Sequence, residues 1–194
     1  MDAPLSKNAL RIQKPPRSEF MKFPRSPIVV VLDSLKCAHN IGTIIRLCDA
    51  LLIERLFICG NTIIPPNGKI KTSSRGSERW VPWAYGASAL EVVKRLKNDG
   101  YYIASVEISK NSKPYYGLAP KAPPIAVVFG REFDGVSPEI LSISDYVAEL
   151  PMYGMANSIN VSVSAGVILY HLDKIVRETS DPPSCLRFSS QPAV

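Results

Sequence analysis

Three short clusters combine side chains capable of chemistry at spacings that a folded chain could use. The first is NIGTIIR, with Asn40, Gly42 and Arg46; the second is GREFDG, with Gly130, Glu132 and Gly135; the third runs from Pro151 and Met152 to Asn157, Ser158 and Asn160. A guanidinium is a permanent cation with a planar fork of donors that suits phosphate and other oxyanions. A carboxylate accepts hydrogen bonds or protons, and amides and hydroxyls do both jobs without charge. Glycines let backbone come close to a ligand. The third cluster is peculiar, because Asn157, Ser158, Asn160, Ser162 and Ser164 stand in an otherwise apolar run with no Asp, Glu, Lys or Arg between Glu149 and Asp173. Leaving such groups buried and unpaired costs about 1–3 kcal/mol each, so they require partners. Each cluster also has a plain structural reading: Arg46 could pair with Asp49 along a helix, and Glu132 could be a turn carboxylate.

Several familiar chemistries are missing from the sequence. The junction DSLKCAHNIG lacks the G-x-G-x-x-G of a dinucleotide fold, and GREFDG lacks the Gly-Lys-Ser/Thr ending of a phosphate loop. There is no Gly-x-Ser-x-Gly elbow, and the two histidines, His39 and His171, make a weak basis for a hydrolytic triad. Cys37, Cys48, Cys59 and Cys185 include no C-x-x-C pair, which points away from a metal site or a disulfide scaffold. Cys48 and Cys59 read as buried free thiols.

Around these clusters, 194 residues suffice for one domain with a substantial core. Its longest apolar runs, such as PIVVVL, fall far short of the roughly 20 residues that span a bilayer, and the first residues carry no signal-like apolar core. The expectation is a soluble cytoplasmic protein. The net charge of +6 is unevenly placed. Residues 7–25 hold Lys7, Arg11, Lys14, Arg17, Lys22 and Arg25 against Glu19, and KIKTSSRGSERW holds Lys69, Lys71, Arg75 and Arg79 against Glu78. Such patches attract nucleic-acid phosphates, although a solvated face would look the same.

The elements that must position the clusters follow from periodicity. PIVVVLDSL is a β-branched run suited to a strand buried on both faces, NIGTIIRLCDALLI has helical spacing behind Asn40 as N-cap, and RLFICG is a strand. NTIIPPNGKIKTSSRGSERW reads as a loop of about twenty residues, a length that is usually functional or disordered. A helix over 87–100, strands over 101–109 and 124–130, a short helix over 137–143 and a strand over 146–152 follow. The final apolar stretch is too long for a strand and predicts a helix starting near Asn157 or Ser158. The alternation favours a parallel sheet with helices on its faces, which puts all three clusters after the carboxyl ends of strands, where open α/β sheets bind ligands.

In that order, NIGTIIRLCDA, VVFGREFDGVS and LPMYGMANSINVSVSAGVILY resemble the three motifs of the SpoU family of RNA ribose 2′-O-methyltransferases, in the SPOUT class, from about Pro27 to Leu172. TSSRGSERWVPW is similar to the branch acting on guanosine 18 of transfer RNA. The resemblance implies an α/β fold, a parallel sheet flanked by helices with a C-terminal deep trefoil knot. It divides the chain into a basic arm at 1–25, a methyltransferase domain at 26–179 and a tail at 180–194. The implied cofactor is S-adenosylmethionine, held near Val106, Gly130, Leu150, Met152, Ser158 and Ile159, without metal. Arg46 becomes the foremost catalytic candidate, with Asn40, Glu132, Ser158 and Asn160 in support. RNA contacts are expected from Arg11, Lys14, Arg17, Arg75 and Arg79, and the chain is expected to pair as a homodimer. The substrate is transfer RNA in the first reading and ribosomal RNA or another transfer-RNA position in the second. A module that binds RNA without turnover is the rival class, against which Arg46, Glu132 and Asn160 all argue.

Overall fold

A computed structural model describes Ser6, residues 15–120 and residues 123–179; Arg11, Lys14 and the tail at 180–194 lie outside the described residues. The run SPIVVVLD forms strand β1 (Ser26–Asp33), which is buried nearly throughout. It pairs in parallel with β2 (Ile53–Cys59) on one side, Val31 opposite Phe57, and with β6 (Ile125–Phe129) on the other, Val30 opposite Val127. Because side chains alternate along a strand, Val30 and Leu32 enter one core layer and Val29 and Val31 the other. The first layer is closed by Ile41, Ile44, Ile45 and Cys48 of α2 (Ala38–Ala50) and by Ala165, Ile168, Leu169 and Leu172 of α6 (Val161–Thr179). The second is closed by Val92, Val93 and Leu96 of α4 (Ala89–Asn98) and by Ile140 of α5 (Pro138–Ile143).

Beyond β2 the sheet ends in β3 (Trp83–Gly86); beyond β6 it continues through β4 (Tyr102–Val106), β7 (Tyr146–Glu149) and the two-residue β5 (Lys113–Pro114). The order is β3-β2-β1-β6-β4-β7-β5 and all pairs are parallel. Every strand therefore ends at the same edge. A parallel sheet with helices on both faces agrees with the sequence reading.

Four details differ. Helix α2 starts at Ala38 with Cys37 as its cap residue, so Asn40 lies inside the first turn and is only 4% exposed. The stretch expected as a loop holds α3 (Gly68–Ser74) and a 3₁₀ turn at Ser77–Arg79. Asn67 starts α3 by accepting from the N–H groups of Lys69 and Ile70, and Arg75 ends it at φ 56°. Strand β3 has no counterpart in the sequence reading, since four residues with two aromatics carry no clear period. The last helix begins at Val161, several residues after Asn157: Asn160 is its cap, with Oδ1 accepting from the Ser162 N–H at 2.8 Å, and residues 150–160 are irregular.

The segment before β1 is packed rather than free where it is described. It forms the single turn α1 (Arg17–Phe20), the Arg17 guanidinium lies 4.6 Å over the Trp80 ring, and Arg25 donates to the carbonyls of Ile53 and Trp80. Cys48 and Cys59 are buried, and burial pushes the Cys59 thiol up to about 12, so neither is a ready nucleophile. Among the described residues no helix is long and apolar enough to cross a membrane.

Candidate active site

At the carboxyl edge of the sheet, loops after β4, β6 and β7 meet around a cavity of about 400 Å³. Val106, Gly130, Leu150, Met152, Ser158 and Ile159 all line it, as do Glu132 and Asn160. Phe129 and Ala148, buried near the ends of β6 and β7, line it together with residues of the three loops.

The loop after β6 is fixed by its own backbone. Arg131 and Gly135 exchange two hydrogen bonds, at 3.0 and 3.1 Å, folding residues 131–135 into a tight turn. Gly130 packs so closely beneath it that a Cβ there would lie 2.1 Å from the Gly135 carbonyl carbon and the Val136 nitrogen. Gly135 has φ +66°, and a Cβ on it would meet Glu107. Both positions require glycine for these reasons.

Glu132 then reaches from this loop to the start of α2. Its carboxylate accepts from the N–H of Lys36 at 3.2 Å, the N–H of Cys37 at 3.1 Å and the Asn40 amide at 3.3 Å. Partial burial alone would push this carboxyl up; the N–H groups of Lys36, Glu132 itself and Cys37, with the Asn40 amide, outweigh it and hold the group below the ordinary carboxylate range. Asn40 passes the connection on, since its Oδ1 accepts from Asn160 Nδ2 at 3.1 Å. Asn160 Oδ1 in turn accepts from the Ser162 hydroxyl at 2.7 Å as well as its N–H. One polar chain, Glu132 to Asn40 to Asn160 to Ser162, thus ties together all three sequence clusters across separations of 92 and 120 residues.

Not every candidate joins it. Asn157 and Ser158 are exposed on the irregular 150–160 segment, so the polar residues of the third cluster are not buried in the isolated chain; Ser158 faces the cavity and Asn157 is outside its lining. Arg46 is exposed on α2 and does not line the cavity. It is also untied: among the described residues it makes no ion pair, and Asp49, its expected helical partner, instead accepts from Trp80 Nε1 at 2.7 Å. Residue 46 falls on a different helix face from buried Asn40. Arg75 and Arg79 are exposed on the α3 segment, with Arg79 5.9 Å from the Trp80 ring on which Arg17 also lies.

Glu107 is a site residue that the sequence reading misses. Its Oε2 accepts from the Val136 N–H at 2.8 Å and its Oε1 from the Ile108 N–H at 2.9 Å, bracing the glycine loop from the β4 side. A strand drawn through 109 hides it; the strand stops at Val106, and an acid just past a strand's carboxyl end was the available signal. With Glu132 and Glu149 it makes three carboxylates around the cavity, against the single guanidinium of Arg131, which pairs with Asp134 at 3.4 Å. Such a lining suits a small cationic ligand, and its volume falls in the range of about 300–1,000 Å³ usual for cofactor sites. Among the described residues no group of His, Cys, Asp and Glu converges as a metal site would require.

The comparisons with known proteins point the same way. The tRNA (guanosine(18)-2′-O)-methyltransferase of Aquifex aeolicus (strain VF5) is 34% identical over 157 residues, covering 80% of this chain and 73% of that protein. The crystal structure of the A. aeolicus TrmH/SpoU tRNA modifying enzyme superposes with a TM-score of 0.74 at 31% identity, over 89% of this chain and 87% of that one. The SpoU methyltransferase AviRb from Streptomyces viridochromogenes, solved in complex with the cofactor AdoMet, gives 0.68 at 25% identity over 82% of this chain and 63% of its own. The model of the SpoU rRNA Methylase family matches residues 27–170, the span from β1 into α6 that carries the cavity and the polar chain. On its motifs, its sheet and the loops that close its site, the chain belongs to the SpoU rRNA methylase family.

Proposed function

We propose that the chain is an S-adenosylmethionine-dependent methyltransferase that modifies a ribose 2′-hydroxyl of RNA, with guanosine 18 of transfer RNA as the substrate to test first. The observation that carries this reading is the polar chain from Glu132 through Asn40 to Asn160, which holds three loops in one arrangement around a carboxylate-lined cavity. S-adenosylmethionine, when bound, supplies a methyl group on a positively charged sulfur that is already activated for displacement. The lining fits it: Gly130, Leu150 and Ile159 border the cavity, Ser158 offers a hydroxyl, and the carboxylates favour the cationic ligand.

Because the leaving group is activated, the protein's share of the reaction is mainly alignment and proton handling. Glu132, Asn40 and Asn160 satisfy one another and are positioning residues that hold the loops. Arg46 carries a free guanidinium, too basic to act as a proton acceptor but suited to hold a phosphate or a developing alkoxide.

Two finer features belong to the same proposal. The segment 150–160 leaves β7, beyond β4, and returns to α6, which packs on α2 and β1; its passage beside the 130–135 loop supports a trefoil knot at the cavity. Helix α6 also leaves an apolar stripe in water, with Val163 54% and Tyr170 56% exposed and Gly166 and Val167 between them. Gly166 abuts Leu47 of α2, next to Arg46. We read this face as the contact with a second copy of the chain, which brings Arg46 to the interface and makes the active unit a homodimer.

The test is incubation with methyl-labelled S-adenosylmethionine and unmodified transfer and ribosomal RNA, followed by mass mapping of the nucleosides. A 2′-O-methylguanosine at position 18 supports the reading in full. Label at another position or in ribosomal RNA keeps the activity and changes the substrate. Cofactor binding without transfer to any RNA would favour an RNA-binding module and sink the enzyme reading.

A further inference from the structure

One aromatic side chain that lines the cavity, Phe133, and a second on the neighbouring 150–160 segment, Tyr153, are not used by the machinery above. Phe133 stands at the tip of the 131–135 turn at 101% exposure, and Tyr153, on the irregular segment that forms another wall, is 93% exposed. Among the described residues neither ring packs on another ring or lies under a cation. A bare ring on a wandering loop would mean little. Phe133 sits instead on a turn closed by the Arg131–Gly135 pair and tied through the residue before it, Glu132, to Lys36, Cys37 and Asn40. Its backbone is fixed and its ring is offered to solvent, yet the residue lines the cavity.

Its neighbours narrow what the ring can meet. The charges that flank it are already engaged, Glu132 with Lys36, Cys37 and Asn40 and Asp134 with Arg131, which leaves the ring's apolar face as what the turn tip offers. An uncharged flat partner is favoured. Presenting a ribose hydroxyl to the cavity also requires the attached base to leave its stack in the RNA, which costs energy unless another π-face replaces the lost neighbours.

We propose that Phe133 is the stacking platform for the base of the nucleotide whose ribose is methylated. The ligand class is an unpaired nucleobase, read by its face rather than by its hydrogen-bonding edge. This rests on the RNA methyltransferase reading and adds a recognition residue to it.

The experiment combines a protein variant with a substrate variant. After the wild-type protein has been used to map the methylated position, steady-state transfer is measured for wild type, Phe133→Ala and Phe133→Trp, on RNA with the target base intact and on RNA carrying an abasic ribose there. Base–aromatic stacking predicts that Phe133→Ala raises KM for intact RNA roughly five- to a hundred-fold, while Phe133→Trp stays near wild type. Removing the base should cost the wild type a similar factor and cost Phe133→Ala almost nothing further. S-adenosylmethionine affinity by calorimetry and sedimentation behaviour should not change, because the fully exposed ring supports neither the fold nor the cofactor loops. Independent, multiplying losses overturn the proposal, as does an unchanged KM. Equal loss of cofactor affinity would put the ring on the cofactor, and dissociation of a dimer would put it on a partner copy; either result overturns it too. If the wild type methylates no RNA, the reading of function fails and this inference falls with it, an outcome distinct from all the others.

Discussion

Two irregular stretches follow strands of the same sheet and treat their charged groups in opposite ways. After β6, residues 130–137 draw Glu132 into three hydrogen bonds and fold so tightly that glycine is required at two positions. After β2, residues 60–82 build a short helix and a 3₁₀ turn, capped by Asn67 and held by bonds such as Ser77 Oγ to Ser74 O, whose Lys69, Lys71, Arg75 and Arg79 stay exposed and make no ion pair among the described residues. On the proposed function, the difference follows from what each would meet. A small ligand at a reacting centre needs groups held in one geometry before it arrives, because orientation is much of the catalysis. A polyanion needs charges free to follow its phosphates, and every internal ion pair would compete with it. Arg46 is instructive because it belongs to a motif of the first kind but is left untied like the second.

If one stretch is preorganised and the other adaptable, substitutions in them should fail in different ways. The largest effect is expected from Gly130→Ala: the added Cβ would lie 2.1 Å from backbone of Gly135 and Val136, which cannot rotate away. Calorimetry should find no measurable S-adenosylmethionine binding. A normal affinity would show that the tight approach is not needed, and the preorganised loop would lose its rationale.

Arg46→Ala comes next. Single-turnover transfer should fall by about 10²–10³, the scale of losing one charge-stabilising donor in the transition state, while cofactor affinity stays unchanged because Arg46 lies outside the cavity. Weakened cofactor binding instead would place the side chain with the first region rather than with the substrate.

For the basic stretch, the double variant Arg75→Ala/Arg79→Ala should raise KM for RNA severalfold and leave the maximal rate alone. If both residues meet phosphates, the slope of log affinity against log salt should shrink by roughly 1.4–1.8. An unchanged slope would make these residues a solvated face and nothing more.

The smallest effect concerns pH. Glu132 is held below its ordinary range, so its network adds stability that is fully present above the unfolded-state value of about 4.3 and is lost as pH falls through the lower folded-state value. The gap in thermal midpoint between wild type and Glu132→Gln should be constant from neutral pH to about pH 5 and close at lower pH. Because the side chain is largely exposed, the gap should be small. A gap that widened on acidification would contradict the depressed carboxyl.

Much of this architecture is legible in local sequence pattern. The β-branched runs at β1 and β6 exceed any helical reading, and Leu90, Val93 and Leu96 fall on one stripe of α4. Period and branching are local properties, so they survive in sequence. The three clusters are legible as well, since glycine, asparagine and carboxylate at the carboxyl ends of strands have few structural uses in common.

Where the reading fails, the deciding contact is distant. Asn40 looks like a helix cap; that end of α2 is served by a carboxylate 92 residues later, so the helix can begin earlier and bury the amide. Asn160 caps α6 while also reaching Asn40, 120 residues away, and this double role ends the irregular segment at Val161 rather than near Ser158. Glu107 becomes a brace only because β4 stops at Val106 beside the glycine loop. Arg46 is recognisable by its motif but turns outward, because the neighbouring apolar positions of α2 claim the core. Short-range pattern was enough for the element types, the common edge of the strands and the identity of the polar groups. Which of those groups meet was left to tertiary structure, because hydrogen bonds between loops far apart in the chain depend on how the sheet orders its strands, and no local period records that order.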